Sequence, residues 1–388
     1  MILIVILFYI NRINKNNHEK PSENFNIKHY KILLNMTILY ILTGYGLTKD
    51  KVSCILLTEL NKCVYEGVAM KDLITIGEMV IDFLPGREPG SYIRNAGGAP
   101  ANVAIAASRN GLSAGMYCKV GNDDFGRFLL QVLRDNRVQP MSEKMSDDAV
   151  TTMAFVSLNE DNDRSFTFAR KPGADMFLTR EEIDEDEIKN CIILHAGSCS
   201  LSAEPEADAT QFAMTTAHAA GKMVSFDINY RALMWNSSKK RCEDKLRSVL
   251  GFVDLLKMSD EEADIIGGYE KIPEIMLQYD ISVVVFTMGS RGTEVFFNGS
   301  SFVVPGYRVE HIADTTGAGD AFWGGFLSFL LFHQITKTTQ LDELILRDAA
   351  KFGNAAGALS VTAKGAITSL PTREMTEKYQ REYEKEKV

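Results

Sequence analysis

Asp314-Thr315-Thr316-Gly317-Ala318-Gly319-Asp320-Ala321-Phe322-Trp323-Gly324-Gly325-Phe326 carries three overlapping features. Gly317 and Gly319 flank Ala318, so the backbone can turn tightly and bring N–H groups close to a ligand. From Ala318 onward Ala321, Phe322, Phe326 and Leu327 recur at helical spacing. The glycines therefore sit at a helix N-terminus, where orphan N–H groups and the helix dipole favour an anion. Asp320 falls in the first turn. A carboxylate there repels the anion it would help to bind. It makes chemical sense if it takes the proton from a hydroxyl that attacks the anion, which is phosphoryl transfer to an alcohol. A plainer role is open to the same residues: a helix-stabilising acid behind glycines that only turn the chain.

The full stretch resembles the C-terminal signature of the ribokinase-like, or phosphofructokinase-B type, carbohydrate kinases. That resemblance implies Asp320 as catalytic base. It makes the amides of Gly317, Ala318, Gly319 and Asp320 the anion hole for the transferred phosphate. A second run, Gly97-Gly98-Ala99-Pro100-Ala101-Asn102-Val103-Ala104, supports it. Gly97-Gly98 allows close backbone approach, Pro100 suits a first helical turn, and Val103, Ala106 and Ala107 continue an apolar stripe. It resembles the family's other signature and implies that Gly97, Gly98 and Asn102 line a sugar pocket.

Around these signatures the chain alternates strand and helix. The run 73–83 is apolar and β-branched at its start, so it reads as one buried strand that ends in Gly77-Glu78 and Asp82. Acids past the end of a first strand sit where ligands bind in open α/β sheets. Asp82 is either a turn former or, as the resemblance implies, the acceptor for sugar hydroxyls. From Cys191 onward helices expected at 206–219, 239–250 and 261–266 separate strands, the pattern of a mostly parallel sheet covered on both faces. Residues 150–158 and 165–168 form a hairpin outside that rhythm. The fold class is α/β. The resemblance specifies a ribokinase-like three-layer α/β/α fold with a small β-sheet lid, contributed by about 83–95 and 150–170.

Further motifs follow strands. Arg170 in Arg170-Lys171-Pro172-Gly173-Ala174-Asp175 can hydrogen-bond a sugar, close on phosphates or simply be solvated. Asp227, Asn229 and Arg231 alternate after a strand, so an extended backbone would point them to one side of a cleft. Both motifs resemble the fructokinase branch, with Asp227 and Asn229 at the substrate. Ser259 stands where many relatives have Asn, and Glu262 aligns with an acid that acts on Mg2+ through water. Either Ser259 or Asp260 also suits a helix cap. Thr287, Gly289 and Gly292 resemble the family's ATP loop, and Asn354 is placed beside adenine. Asp314, Thr316, Ser360, Gly365 and Ser369 resemble the site of an activating K+. His195 reads as a core histidine.

The net charge of −9 argues against nucleic acid as a partner. The six scattered cysteines lack metal-site spacing and read as reduced thiols of a cytoplasmic protein. The apolar runs at 1–10 and 32–47 fall short of the ~20 residues that span a bilayer, and no membrane is expected. Met70 precedes the first clean strand. Residues 1–69 read as a leader outside the fold, with the kinase domain at 70–388. The expected reaction is ATP plus D-fructose giving ADP and D-fructose 6-phosphate. 2-Keto-3-deoxygluconate, other sugars of the family and a catalytically silent sugar sensor remain as alternatives. A homodimer through the lid follows by analogy.

Overall fold

The computed structural model describes residues 70–86, 88, 90–158 and 164–386. The expected leader at 1–69, with Cys54 and Cys63, lies outside the described residues, as does the hairpin turn at 159–163. The main sheet contains β1 (Leu73–Ile76), β4 (Ala114–Tyr117), β5 (Val138–Pro140), β8 (Ile193–Gly197), β9 (Met223–Asp227), β10 (Leu255–Ser259), β11 (Val283–Thr287), β12 (Gly292–Phe297) and β13 (Ser300–Pro305). Their order is β13-β12-β11-β10-β9-β8-β1-β4-β5. The pairs from β11 through β5 are parallel, while β12 and β13 fold back antiparallel at one edge.

Alternate residues of each strand feed opposite cores. Leu73 packs on one face and Ile74 and Ile76 on the other, as a sheet buried on both sides requires. The first face is covered by α1 (Ala99–Arg109), α2 (Asp124–Asp135), α7 (Ala318–Phe332) and α8 (Glu343–Ser360). The second is covered by α4 (Glu206–Ala219), α5 (Lys239–Val249) and α6 (Ile272–Tyr279). The shorter α3 (Glu185–Asn190) packs on α4, and α9 (Arg373–Glu386) on α8. Asp123 caps α2 by accepting from the Gly126 amide (2.7 Å). Cys118, Cys191, Cys199 and Cys242 are free and buried.

The lid, expected from about 83–95 and 150–170, has four strands: β3 (Tyr92–Gly97), β2 (Val80–Pro85), β6 (Met153–Leu158) and β7 (Arg164–Ala169), in that order. The run from Leu73 to Phe83 is therefore two strands in two sheets, broken at Gly77, whose φ is +143°. Asp82 belongs to a lid strand, opposite Asn95, rather than to a turn. The helix expected at 261–266 is a single 3-10 turn, Ala263–Ile266, stopped by the left-handed Gly267.

Candidate active site

The first turn of α7 lies against α1. Close packing of these helices, with Gly324 on Ala106, brings the two signatures together although they lie more than two hundred residues apart in sequence. Asn102 Nδ2 donates to Asp320 Oδ2 (2.7 Å). Both side chains are buried, and Asp320 Oδ1 is left for another partner. Gly317 is the N-cap in the left-handed region, with φ +77°. The Ala318 amide is taken by the Thr315 carbonyl. The amides of Gly319 and Asp320 have no intrahelical acceptor, as first-turn donors never do. They fit an anion, next to a buried carboxylate.

Burial pushes the Asp320 carboxyl up to about 6, against the Asn102 hydrogen bond and the positive charge of Arg231. Burial likewise lifts Asp82 to about 6; Arg231 opposes this, while Asp320 and Asp314 add to it. Arg231 thus acts on both carboxyls, and Asp320 and Asp314 act on Asp82. A Cβ on Gly97 would collide with Asp82 Oδ2, so Gly97 makes room for that carboxylate. Gly98 has φ +117° and lies on the backbone of Glu78 and Met79. Its missing side chain serves that crossing rather than an open pocket. Glu78 accepts from the Ala99 amide (3.3 Å).

Other expected site residues are engaged differently. Arg170 is neither solvated nor free. Its Nε meets Asp175 (2.6 Å), its Nη2 meets Glu206 (3.5 Å), and Nη1 donates to Ser202. Burial and the Asp175 charge hold the Glu206 carboxyl well above its usual range. Asp227 binds Lys257 Nζ (2.7 Å). Asn229 has φ +36°, so the extended backbone assumed for Asp227, Asn229 and Arg231 ends at Asp227. Asn354 is fully engaged: Oδ1 accepts from Thr293, while Nδ2 donates to the Val304 and Pro305 carbonyls. It ties α8 to the antiparallel edge, and both of its amide hydrogens are spent inside the protein. Gly292 has φ +98° and packs on Val304 and Gly306. Gly289, with φ +57°, has open space around it, and Thr287 donates to the Met258 carbonyl.

Glu262 accepts from the Tyr230 amide (2.8 Å) and the Ser259 amide (2.8 Å), joining the loops after β9 and β10. Asp314 accepts from the Thr316 and Gly365 amides, so the two segments expected around K+ do meet. Ser360 and Ser369 turn their hydroxyls onto the Gly357 and Ala366 carbonyls. His195 is neutral in the core, lowered to about 3 by burial, with Nδ1 on Ser225 (2.9 Å). Sequence reasoning missed Lys257. Its signal is a lysine set among apolar neighbours in Leu255-Leu256-Lys257-Met258.

Residues 70–373 match the family model for pfkB carbohydrate kinases. The chain is 38% identical over 310 residues to fructokinase-1 of Oryza sativa, covering 77% of this chain and 94% of that one. A crystal structure of Xylella fastidiosa fructokinase with bound ATP superposes with a TM-score of 0.75 at 30% identity, covering 81% and 99%. Vibrio cholerae fructokinase with fructose, ADP and calcium bound gives 0.71 at 34%, covering 80% and 99%.

Proposed function

The chain belongs to the pfkB family of carbohydrate kinases, and from that premise we propose that it moves the terminal phosphoryl group of ATP to the 6-hydroxyl of D-fructose. The observation that carries this reading is the pairing of Asp320 with Asn102 beside the open first-turn amides of α7. Asp320 Oδ1 takes the hydroxyl proton as the oxygen attacks. The Gly317–Asp320 turn receives the charge on the phosphoryl oxygens. The Asn102 amide holds the carboxylate in one orientation, so Asn102 acts on the base rather than chiefly on the sugar.

Asp82 accepts the sugar hydroxyls, at the lid root facing the base. Gly97→Ala displaces its carboxylate, and a buried hydroxyl partner lost in this way costs on the order of 10- to 100-fold in affinity. The expected result is a raised KM for sugar with the KM for ATP unchanged. An unchanged sugar KM removes Asp82 from the pocket. ATP lies over Thr287, Gly289 and the Gly317–Asp320 turn, with Ser259 nearby. Glu262, with the Tyr230 and Ser259 amides already on its oxygens, keeps lone pairs that would hold a water of a bound Mg2+, an ion that would supply neutralising charge. Asp314, Thr316 and Gly365 form the frame for K+. The kinase occupies 70–388. Free buried thiols support a cytoplasmic setting, and exposed Tyr92 and Ile93 on the lid support pairing of two copies there.

2-Keto-3-deoxygluconate loses its best partner, because the Arg170 guanidinium is already paired with the buried Asp175 carboxylate. A silent sugar sensor would have no use for an intact base and anion hole. An ADP-release assay over a sugar panel tests the assignment, with fructose expected to give the highest kcat/KM. Run across pH, it carries a second expectation. The base works ionised, so kcat falls as pH drops through about 6. Its slope below that point is tenfold per pH unit. Equal rates on ribose and fructose, or a flat acid limb, would overturn the reading.

A further inference from the structure

Lys257 stands inside β10, 4% exposed. Nζ reaches Asp227 Oδ2 (2.7 Å), which uses one of its three N–H bonds. A Cβ built on Gly319 would lie 3.5 Å from that ammonium and 3.8 Å from Cε. The charge therefore borders the anion hole itself. Asp227 Oδ1 is buried without a partner, so the pair is isolated from any larger polar network on that side. Such a pair is a poor device for stability, since well-packed apolar residues commonly do as well. Its place needs another explanation.

We propose that Lys257, held by Asp227, is the cationic member of the anion hole and donates to the terminal phosphate of ATP as it is transferred. The proposal rests on the phosphotransfer reading above. Amides alone supply partial charges. In transfer through a loose transition state the three equatorial oxygens carry spread negative charge, and a fixed ammonium at their side is worth most where water is excluded. A lysine acts there as a point charge on a stem, needing no bidentate geometry. Asp227 holds that charge in place and keeps the ammonium protonated, as burial alone would not. Its role moves from the sugar to the lysine.

The test compares Lys257→Met, Asp320→Asn and the doubly apolar Lys257→Met/Asp227→Leu. Melting temperature, kcat and calorimetric binding of ATP and AMP are measured for each. Lys257→Met is expected to lose roughly 100- to 1,000-fold in kcat. It should bind ATP about tenfold more weakly and AMP as before, a split that a packing defect does not produce. Where the single variant melts early because Asp227 is left unpaired, the double variant restores the melt and stays inactive. Recovery of kcat in the double variant, or a folded Lys257→Met within threefold of wild type, shows an ion pair that is only structural and overturns the proposal. A silent Asp320→Asn beside an active Lys257→Met sinks the lysine alone; an active Asp320→Asn sinks the phosphotransfer reading beneath it.

Discussion

Asp320→Asn loses roughly 1,000- to 10,000-fold in kcat while folding normally, the upper part of the range that a positioned base supplies. The loss corresponds to about 4–5.5 kcal/mol of transition-state stabilisation. Asn matches Asp in shape, and its carbonyl oxygen can still accept from Asn102 Nδ2. What disappears is the lone pair with enough basicity to take a proton. Stability is expected to hold or rise. The carboxylate is buried and its ionisation disfavoured by desolvation, and a neutral amide escapes that cost. The neighbouring Lys257 and Arg231 lose a counter-charge, which partly offsets the gain. ATP binding stays near wild type, since the first-turn amides are untouched. Calorimetry with ATP and a coupled ADP assay settle the matter together. Turnover within tenfold of wild type would mean that another group, or solvent, accepts the proton.

The parts legible in sequence were those in which one short segment holds the whole reason for itself. Gly317-Ala318-Gly319-Asp320 declares its turn, its helix start and its acid within four residues. β1 and β8–β11 are mostly apolar and announce a covered parallel sheet. Partner choice was not legible. Arg170 looks free until the fold sets Glu206 against it, and Asn354 looks available until Thr293 and the Val304 carbonyl take its amide. These contacts join residues tens of positions apart, and no local pattern encodes them. Asp227 was assigned by its spacing to Asn229, a reading that assumes extended backbone; Asn229 at φ +36° breaks it. β2 was hidden because Leu73–Phe83 is apolar across a glycine break. The Ala263–Ile266 turn ends where the sequence puts its end, before Gly267-Gly268, and differs only at its start, where Glu261 and Glu262 lie outside the 3-10 turn.

Gly319→Ala separates space from charge at the same site. Gly319 lies in the first turn of α7, where alanine is intrinsically favoured over glycine by up to about 1 kcal/mol. The added methyl meets Lys257 at 3.5 Å or more, an ordinary contact, so the protein should fold and melt no lower than wild type. Side-chain bonds in a helix tilt toward its N-terminus, so the methyl occupies the approach to the open amides. Losing access to one such donor costs roughly 100- to 1,000-fold in kcat, with weaker ATP binding and an unchanged affinity for fructose. Gly317→Ala is the contrast. There φ is +77° and the new Cβ falls 2.7 Å from Ala366, so that variant fails by strain and melts early. A thermal melt beside a kcat measurement tells the two apart. If Gly319→Ala turns over fructose at the wild-type rate, the phosphoryl group does not approach the first-turn amides, and the anion hole must lie elsewhere.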